Sequence, residues 1–255
     1  MSEAGAPFFL IEEFGRGDFS HVGSIDIDIA VNPELVGDDE YSTIVDLIEE
    51  RGYSLRRGVD GQPIVFSFER EISSRVDGRS YRISIDFLTS TTVNSGNHRH
   101  RRVQPSLPAR IANGCDIEFQ HNFKKEVRGT LPDGGEARAQ IQMLDIAGCI
   151  GMKGVVLGER YKEKDAYDIF SVMSQCLDGP AAVARKVRPF LAEQSMGLGM
   201  TNIKDKFRSV EAEGPTWVGT FLANADAEQK KRYQAESYAS AKRFLRELDP
   251  SSAGQ

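Results

Sequence analysis

Ile25-Asp26-Ile27-Asp28-Ile29-Ala30-Val31 alternates with a period of two. A strand turns successive side chains to opposite faces. Ile25, Ile27, Ile29 and Val31 therefore share one face, and Asp26, Asp28 and Ala30 the other. The stretch reads as a half-buried strand, ended by Asn32-Pro33. Two like charges this close repel, and each raises the other's pKa. A divalent cation between them removes that cost, and Mg²⁺ favours a few carboxylates with phosphate oxygens and water. The plain alternative is a solvated strand face that carries two acids.

Outward from this stretch the first half reads as strands with one helix. Phe8 to Ile11 is a short apolar run expected to be a strand. A helix is expected over Ser42 to Arg51, with Ser42 as cap, Gly52 as stop, and Ile44, Val45, Leu47 and Ile48 as its apolar stripe. Further strands are expected over Pro63–Glu69, Tyr81–Leu88, Cys115–Phe123 and Glu136–Met143, with turns at Asp77-Gly78 and Pro132-Asp133-Gly134-Gly135. From Asp145 the apolar spacing changes to three and four. Helices are expected over 145–158, 163–177, 181–194, 201–210 and 225–247. Strands followed by helices point to an α+β fold, or to an α/β head with a helical tail. The expected domains are 1–144 and 145–255.

Asp86 repeats the pattern of the opening stretch. In Ile83-Ser84-Ile85-Asp86-Phe87 the acid alternates with apolar residues on the face of Ser84. If the two strands are neighbours, Asp26, Asp28 and Asp86 converge on one metal site. Two Mg²⁺ about 3.5–4 Å apart could there activate a hydroxyl and steady a leaving pyrophosphate.

The composition excludes several classes. With 24 Gly and 10 Pro in 255 residues, 40% apolar and 27% charged, the chain is neither collagen-like nor low-complexity. A net charge of −6 argues against a DNA-coating protein but leaves room for a local basic patch. Three Cys without a C-x-x-C pair argue against a zinc ribbon or a disulfide scaffold, and reduced thiols in the cytoplasm are expected. MSEAGAPFFLIEEF lacks a basic n-region, so no signal peptide is read there, and no apolar stretch is long enough to suggest a membrane partner.

The residues resemble a nucleotidyltransferase of the DNA polymerase β-like superfamily, and more narrowly the AbiEii toxin family of type IV toxin–antitoxin, or abortive-infection, systems. That family places Gly-Ser nine or ten residues before D-x-D on a strand. Here Gly15-Arg16 precedes Asp26-Ile27-Asp28 by nine residues, with Arg in place of Ser. The second block is Lys153-Gly-Val-Val-Leu-Gly-Glu-Arg160-Tyr-Lys-Glu-Lys164-Asp165-Ala-Tyr-Asp168. The family carries a Lys, then an Arg, then Lys-Asp-x-x-Asp on the next helix. Residues 165 and 168 share a helical face, and Lys164 and Asp168 are i, i+4 neighbours. A salt-bridged helix start is the ordinary reading of that block alone.

The resemblance implies a nucleotidyltransferase-like mixed sheet in the N-terminal domain and a helical C-terminal domain. It implies Mg²⁺ on Asp26, Asp28 and Asp86, and NTP as substrate. Gly15 and Arg16 would open a helix whose N–H groups receive the triphosphate, with Arg16 as a cationic contact. Lys153 would bind the triphosphate. Asp165 and Asp168 would orient Lys164 or Arg160, or help deprotonate the acceptor. RNA, notably the tRNA 3′ end, is the implied acceptor, and an antitoxin the implied partner. Two alternatives stay open: transfer to a small molecule such as an aminoglycoside, and a fold that binds but no longer catalyses.

Other residues carry weaker signals. His98-Arg99-His100-Arg101-Arg102 could grip RNA phosphates or simply be solvated. His21 could reach a phosphate or be a turn residue. Trp217 could stack a base or pack the helical domain. Cys149 reads as core.

Overall fold

Two units divide the chain. One holds Ser24–Met143, and the other holds Ala6–Gly23 with Leu144–Gln255. The computed structural model describes residues 5–32, 38–73, 78–90, 100–104, 107–131, 134–223 and 226–249, with backbone alone at 38–43, 100–104 and 107. The fold is α+β, with a mixed sheet and a helical C-terminal region.

The chain begins in helix α1 (Ala6–Phe14), where a strand was expected at Phe8–Ile11. Four apolar residues in a row suit either structure. The deciding spacing is wider: Ala6, Pro7, Leu10 and Ile11 form one buried helical face, and Pro7 sits in the first turn, where it lacks no needed N–H. Residues 6–23, expected in the first domain, cluster with the helical unit.

In the sheet unit, β1 (Asp26–Ala30) is followed by α2 (Asp38–Glu50), β2 (Ser54–Arg57), β3 (Pro63–Ser73), β4 (Ser80–Thr89), β5 (His100–Gln104) and β6 (Leu107–Ile111). β4 pairs with three strands: parallel with β1, antiparallel with β3 and parallel with β6. β2 extends the sheet beyond β3, and β5 beyond β6. Strands β2, β5 and β6 were not expected. β2 is exposed at all four residues and so shows no alternation, and β6 contains Pro108. The residues 74–77 between β3 and β4, and Pro132-Asp133, lie outside the described residues, so the expected turns there are seen only as Gly78 and Gly134-Gly135.

The apolar face of the sheet does what its alternation requires. Val31, Phe68, Ile85, Phe87 and Ala109 are buried together, with Ile27, Ile29, Tyr53 and the α2 residues Val45 and Ile48 packed on them. Ile25, at the strand's open end, stays exposed. On the opposite face Ala30, Leu88 and Cys115 cluster with Ala112 and Phe119. Cys115 begins helix α3 (Cys115–Gln120), where a strand was expected over Cys115–Phe123. A three-point alternation of Cys115, Ile117 and Phe119 does not separate a short helix from a strand. The strand β7 starts only at Asn122 and runs to Thr130, and it forms a two-stranded sheet with β8 (Glu136–Leu144).

The helical unit holds α4 (Ile146–Glu159), α5 (Glu163–Gln175), α6 (Pro180–Val187), α7 (Gln194–Lys206), α8 (Glu213–Leu222) and α9 (Ala227–Leu248). The expected helix over 181–194 stops at Val187, and a single 3-10 turn follows at Pro189. α8 was hidden by Gly214-Pro215, which reads as a break but occupies its first turn. Asp145 caps α4 by accepting from the Gly148 N–H at 2.8 Å.

Every residue of α4 from Ile146 to Leu157 is buried, including Lys153. Its glycines permit a close crossing with α7. A Cβ on Gly154 would fall 2.5 Å from the Gly199 carbonyl oxygen, so the helices would have to separate. Gly154→Ala is expected to cost about 1–3 kcal/mol, read as a lower urea midpoint, because overpacking displaces backbone. An unchanged midpoint would show that the crossing is looser than described.

Candidate functional site

The register of β1 on β4 brings the strand acids together. Asp26 lies opposite Ser84, and Asp28 opposite Asp86. Residues opposite one another across strands about 4.8 Å apart point to the same face. β3 extends both rows, with Glu69 opposite Ser84 and Ser67 opposite Asp86. The face therefore carries one row of Glu69, Ser84 and Asp26 and a second of Ser67, Asp86 and Asp28. The expected adjacency of the two acidic strands is present in the sheet.

Serine hydroxyls orient two of these acids. Ser84 Oγ donates to Asp26 Oδ1 at 2.7 Å, and Ser67 Oγ donates to Asp86 Oδ1. Both serines are buried, while Asp26 is exposed and Asp28 and Asp86 are half-buried. The serines were not singled out in the sequence. Their signal was available: Ser84 shares the parity of Asp86, and Ser67 interrupts an otherwise apolar Ile64–Phe68 run. Among the described residues no three His, Cys, Asp or Glu side chains are already gathered tightly enough to hold a metal ion. Drawing Asp26, Asp28 and Asp86 onto one cation takes side-chain rotation on strands already in register.

The residues of the 153–168 block assemble inside the helical unit. Asp165 and Asp168, one turn apart on α5, are buried. Lys153 on α4 reaches Asp168 Oδ2 at 3.1 Å and Asp165 Oδ1 at 3.6 Å. Arg160 grips Asp165 with two bonds, Nε to Oδ2 at 2.8 Å and Nη2 to Oδ1 at 3.0 Å. Lys164 Nζ donates to both oxygens of Asp168, at 3.0 and 3.1 Å. The two acids thus orient Arg160 and Lys164, one each. The Lys153 side chain is only 4% exposed, against 44% for Arg160 and 19% for Lys164. Its ammonium is directed at the two carboxylates.

His21 completes this cluster. It is buried, and its Nε2 lies 3.2 Å from Asp168 Oδ1. The Gly23 N–H donates to His21 Nδ1 at 3.0 Å, which leaves Nε2 as the nitrogen that donates to Asp168. The imidazole stacks on Tyr167 with centroids 4.9 Å apart, and the Tyr167 hydroxyl accepts from the Val22 N–H. Besides its local bond with the Gly23 N–H, His21 has a distant partner in Asp168. No local spacing could reveal the partnership, because 147 residues separate it from Asp168.

Burial alone would raise the Asp168 carboxyl. Lys153, the His21 bond and Lys164 outweigh it and hold the carboxyl well below the usual carboxylate range. Burial raises the Tyr167 phenol and pushes the Cys176 thiol up to about 12, so Cys176 is no ready nucleophile. Cys149 is buried, as a core residue should be.

Gly15 and Arg16 do not open a helix. Gly15 follows the last residue of α1, and its N–H takes the Ile11 carbonyl at 2.8 Å. A Cβ there would sit 2.2 Å from that oxygen, so close approach of the backbone requires glycine. Gly15 bridges to Cys176, and the Arg16 N–H donates to the Gln175 carbonyl at 3.2 Å. The Arg16 side chain pairs with Asp178 on the surface. The expected anion-receiving helix is replaced by a joint that docks the end of α1 on the end of α5.

His98 and Arg99 lie outside the described residues, while His100–Arg102 fall in β5, where only backbone is described. No helix among the described residues is long and apolar enough to cross a membrane. Comparison with family models, with curated proteins and with solved structures finds no match to this chain.

Proposed function

We propose that the chain is a Mg²⁺-dependent nucleotidyltransferase that moves a nucleoside monophosphate from an NTP to an acceptor hydroxyl and releases pyrophosphate. The observation that carries this reading is the register of Asp28 on Asp86, with Asp26 on the same face. A surface that serves only solubility has no need to align like charges in the centre of a sheet, where they repel.

The donor set fits a hard cation. Asp26, Asp28 and Asp86 supply oxygen only, the ligand type that suits Mg²⁺. Ser84 and Ser67 take Oδ1 of Asp26 and Asp86, which turns Oδ2 of each away from the hydroxyl. Asp26, Asp28 and Asp86 would hold Mg²⁺, which would supply charge neutralisation at phosphate and a lowered pKa for a bound hydroxyl. Within the helical unit, Arg160 and Lys164 are the cations of the 153–168 block that reach solvent. Lys153 fixes Asp165 and Asp168, and through them Arg160 and Lys164. This reading assigns no phosphate to Gly15 or Arg16.

The finer points rest on the motif resemblance of residues 26–28 and 153–168: RNA as acceptor, the tRNA 3′ end as its reactive hydroxyl, and a growth-inhibiting toxin held by an antitoxin. A binding module without catalysis is the second reading, favoured by the helix-closing role of Gly15. Incubation with each radiolabelled NTP and Mg²⁺, in parallel with total RNA, lysate protein or aminoglycosides, tests both. Label in RNA is expected. Label only in the drug overturns the RNA acceptor, and NTP binding with no label in any pool favours the module.

A further inference from the structure

The loop between α4 and α5 displays an aromatic side chain that the fold does not use. Tyr161 is 86% exposed, and its ring meets Trp217 of α8 edge-on, with centroids 5.7 Å apart and planes at 86°. Lys206 of α7 lies over both rings, 5.6 Å from the Tyr161 centroid and 5.7 Å from that of Trp217. Glu213 pairs with Lys206 at 3.3 Å and with Arg208 at 3.2 Å, and Asp205 also pairs with Arg208. The cation beside the rings is therefore positioned by the Glu213 carboxylate. Lys162, next in sequence to Tyr161, is exposed and makes no ion pair among the described residues.

An aromatic ring open to water, with a supporting ring at right angles and a free cation one residue away, suits one ligand chemistry. A nucleobase stacks on the open face and the adjoining phosphate meets the cation. An apolar partner helix would need a greasy groove around the rings, whereas Lys206 lies over both of them and the sequence around Tyr161 is charged, Glu159-Arg160-Tyr161-Lys162-Glu163. A duplex hides its bases from such a platform.

We propose that Tyr161, braced by Trp217 and Lys206, stacks an unpaired base of single-stranded RNA, with Lys162 on the neighbouring phosphate. The proposal rests on RNA being the acceptor and adds where that strand is held.

Trp217 is the sole tryptophan in the chain, so intrinsic tryptophan fluorescence reports this place alone. The full chain is titrated at low salt with an eight-nucleotide single-stranded RNA, with the same strand in a duplex, and with a mononucleotide. Saturable quenching by the single strand is expected, with little change from the other two. Tyr161→Phe keeps the ring and is expected to bind as the wild type does. Tyr161→Ala is expected to bind about tenfold more weakly, and its 86% exposure makes misfolding a poor explanation for that loss. No quenching, equal quenching by duplex or mononucleotide, or equal affinity in Tyr161→Ala overturns the platform. Labelled RNA without quenching removes this platform and leaves the transferase reading intact. Quenching without transfer to any acceptor does the reverse.

Discussion

Asp28→Ala is expected to lower nucleotide transfer by at least about a thousandfold while the protein unfolds at the wild-type denaturant midpoint or above it. The rate effect follows from the several kcal/mol that metal-assisted charge stabilisation contributes to phosphoryl chemistry, at about 1.4 kcal/mol per tenfold. The stability effect follows from the register. Asp28 lies opposite Asp86 on a parallel strand, so its removal relieves repulsion between like charges, which offsets the loss of its other interactions. Loss of rate with kept or raised stability separates a functional carboxylate from a structural one. Transfer at the wild-type rate in Asp28→Ala would remove these acids from the chemistry. A lowered midpoint would show that the carboxylate supports the fold.

Asp168→Asn is expected to behave in the opposite way and destabilise the protein by about 3–5 kcal/mol, because it breaks a buried ion pair and leaves its partner charged. The amide keeps the shape of the carboxylate but strips Lys153 of the oxygen charge at 3.1 Å, and the more distant Asp165 remains at 3.6 Å. Urea unfolding measures the loss, and a difference below about 1 kcal/mol would contradict the burial of Lys153 as an ion.

The effect has a pH signature. The ordinary Asp value is 3.8, and the folded protein holds Asp168 below it. A depressed carboxyl contributes stability that is present above the unfolded value and is lost as the pH falls toward the folded one. The gap between wild type and Asp168→Asn is therefore expected to stay constant from neutral pH to about pH 5 and to narrow below about pH 4. A gap that widens on acidification would have the wrong sign.

The strand acids were legible because period-two alternation is a local property. The parity of Asp26, Asp28 and Asp86 placed them on solvent-side faces, and parallel pairing of β1 with β4 then put them side by side. The pairing of Lys164 with Asp168 was legible for the same reason, as a single helical turn. What failed was decided by distant partners. Phe8–Ile11 became helix because its spacing to Ala6 and Pro7 suits burial against α5, which no window of four residues contains. Gly15 was given to a phosphate loop by resemblance, whereas its close approach to Ile11 and its bridge to Cys176 make it the end of a helix. The pairing of His21 offered no local hint, because its partners Tyr167 and Asp168 lie on α5, with 147 positions separating His21 from Asp168.

Direct titration with Mn²⁺, followed by the loss of its free-ion paramagnetic resonance signal, reports on the strand carboxylates without waiting for a turnover. Without nucleotide, wild type is expected to take up the ion, and Asp28→Ala to leave it in solution. Equal uptake by both proteins, or none by wild type, would contradict a cation held by Asp26, Asp28 and Asp86.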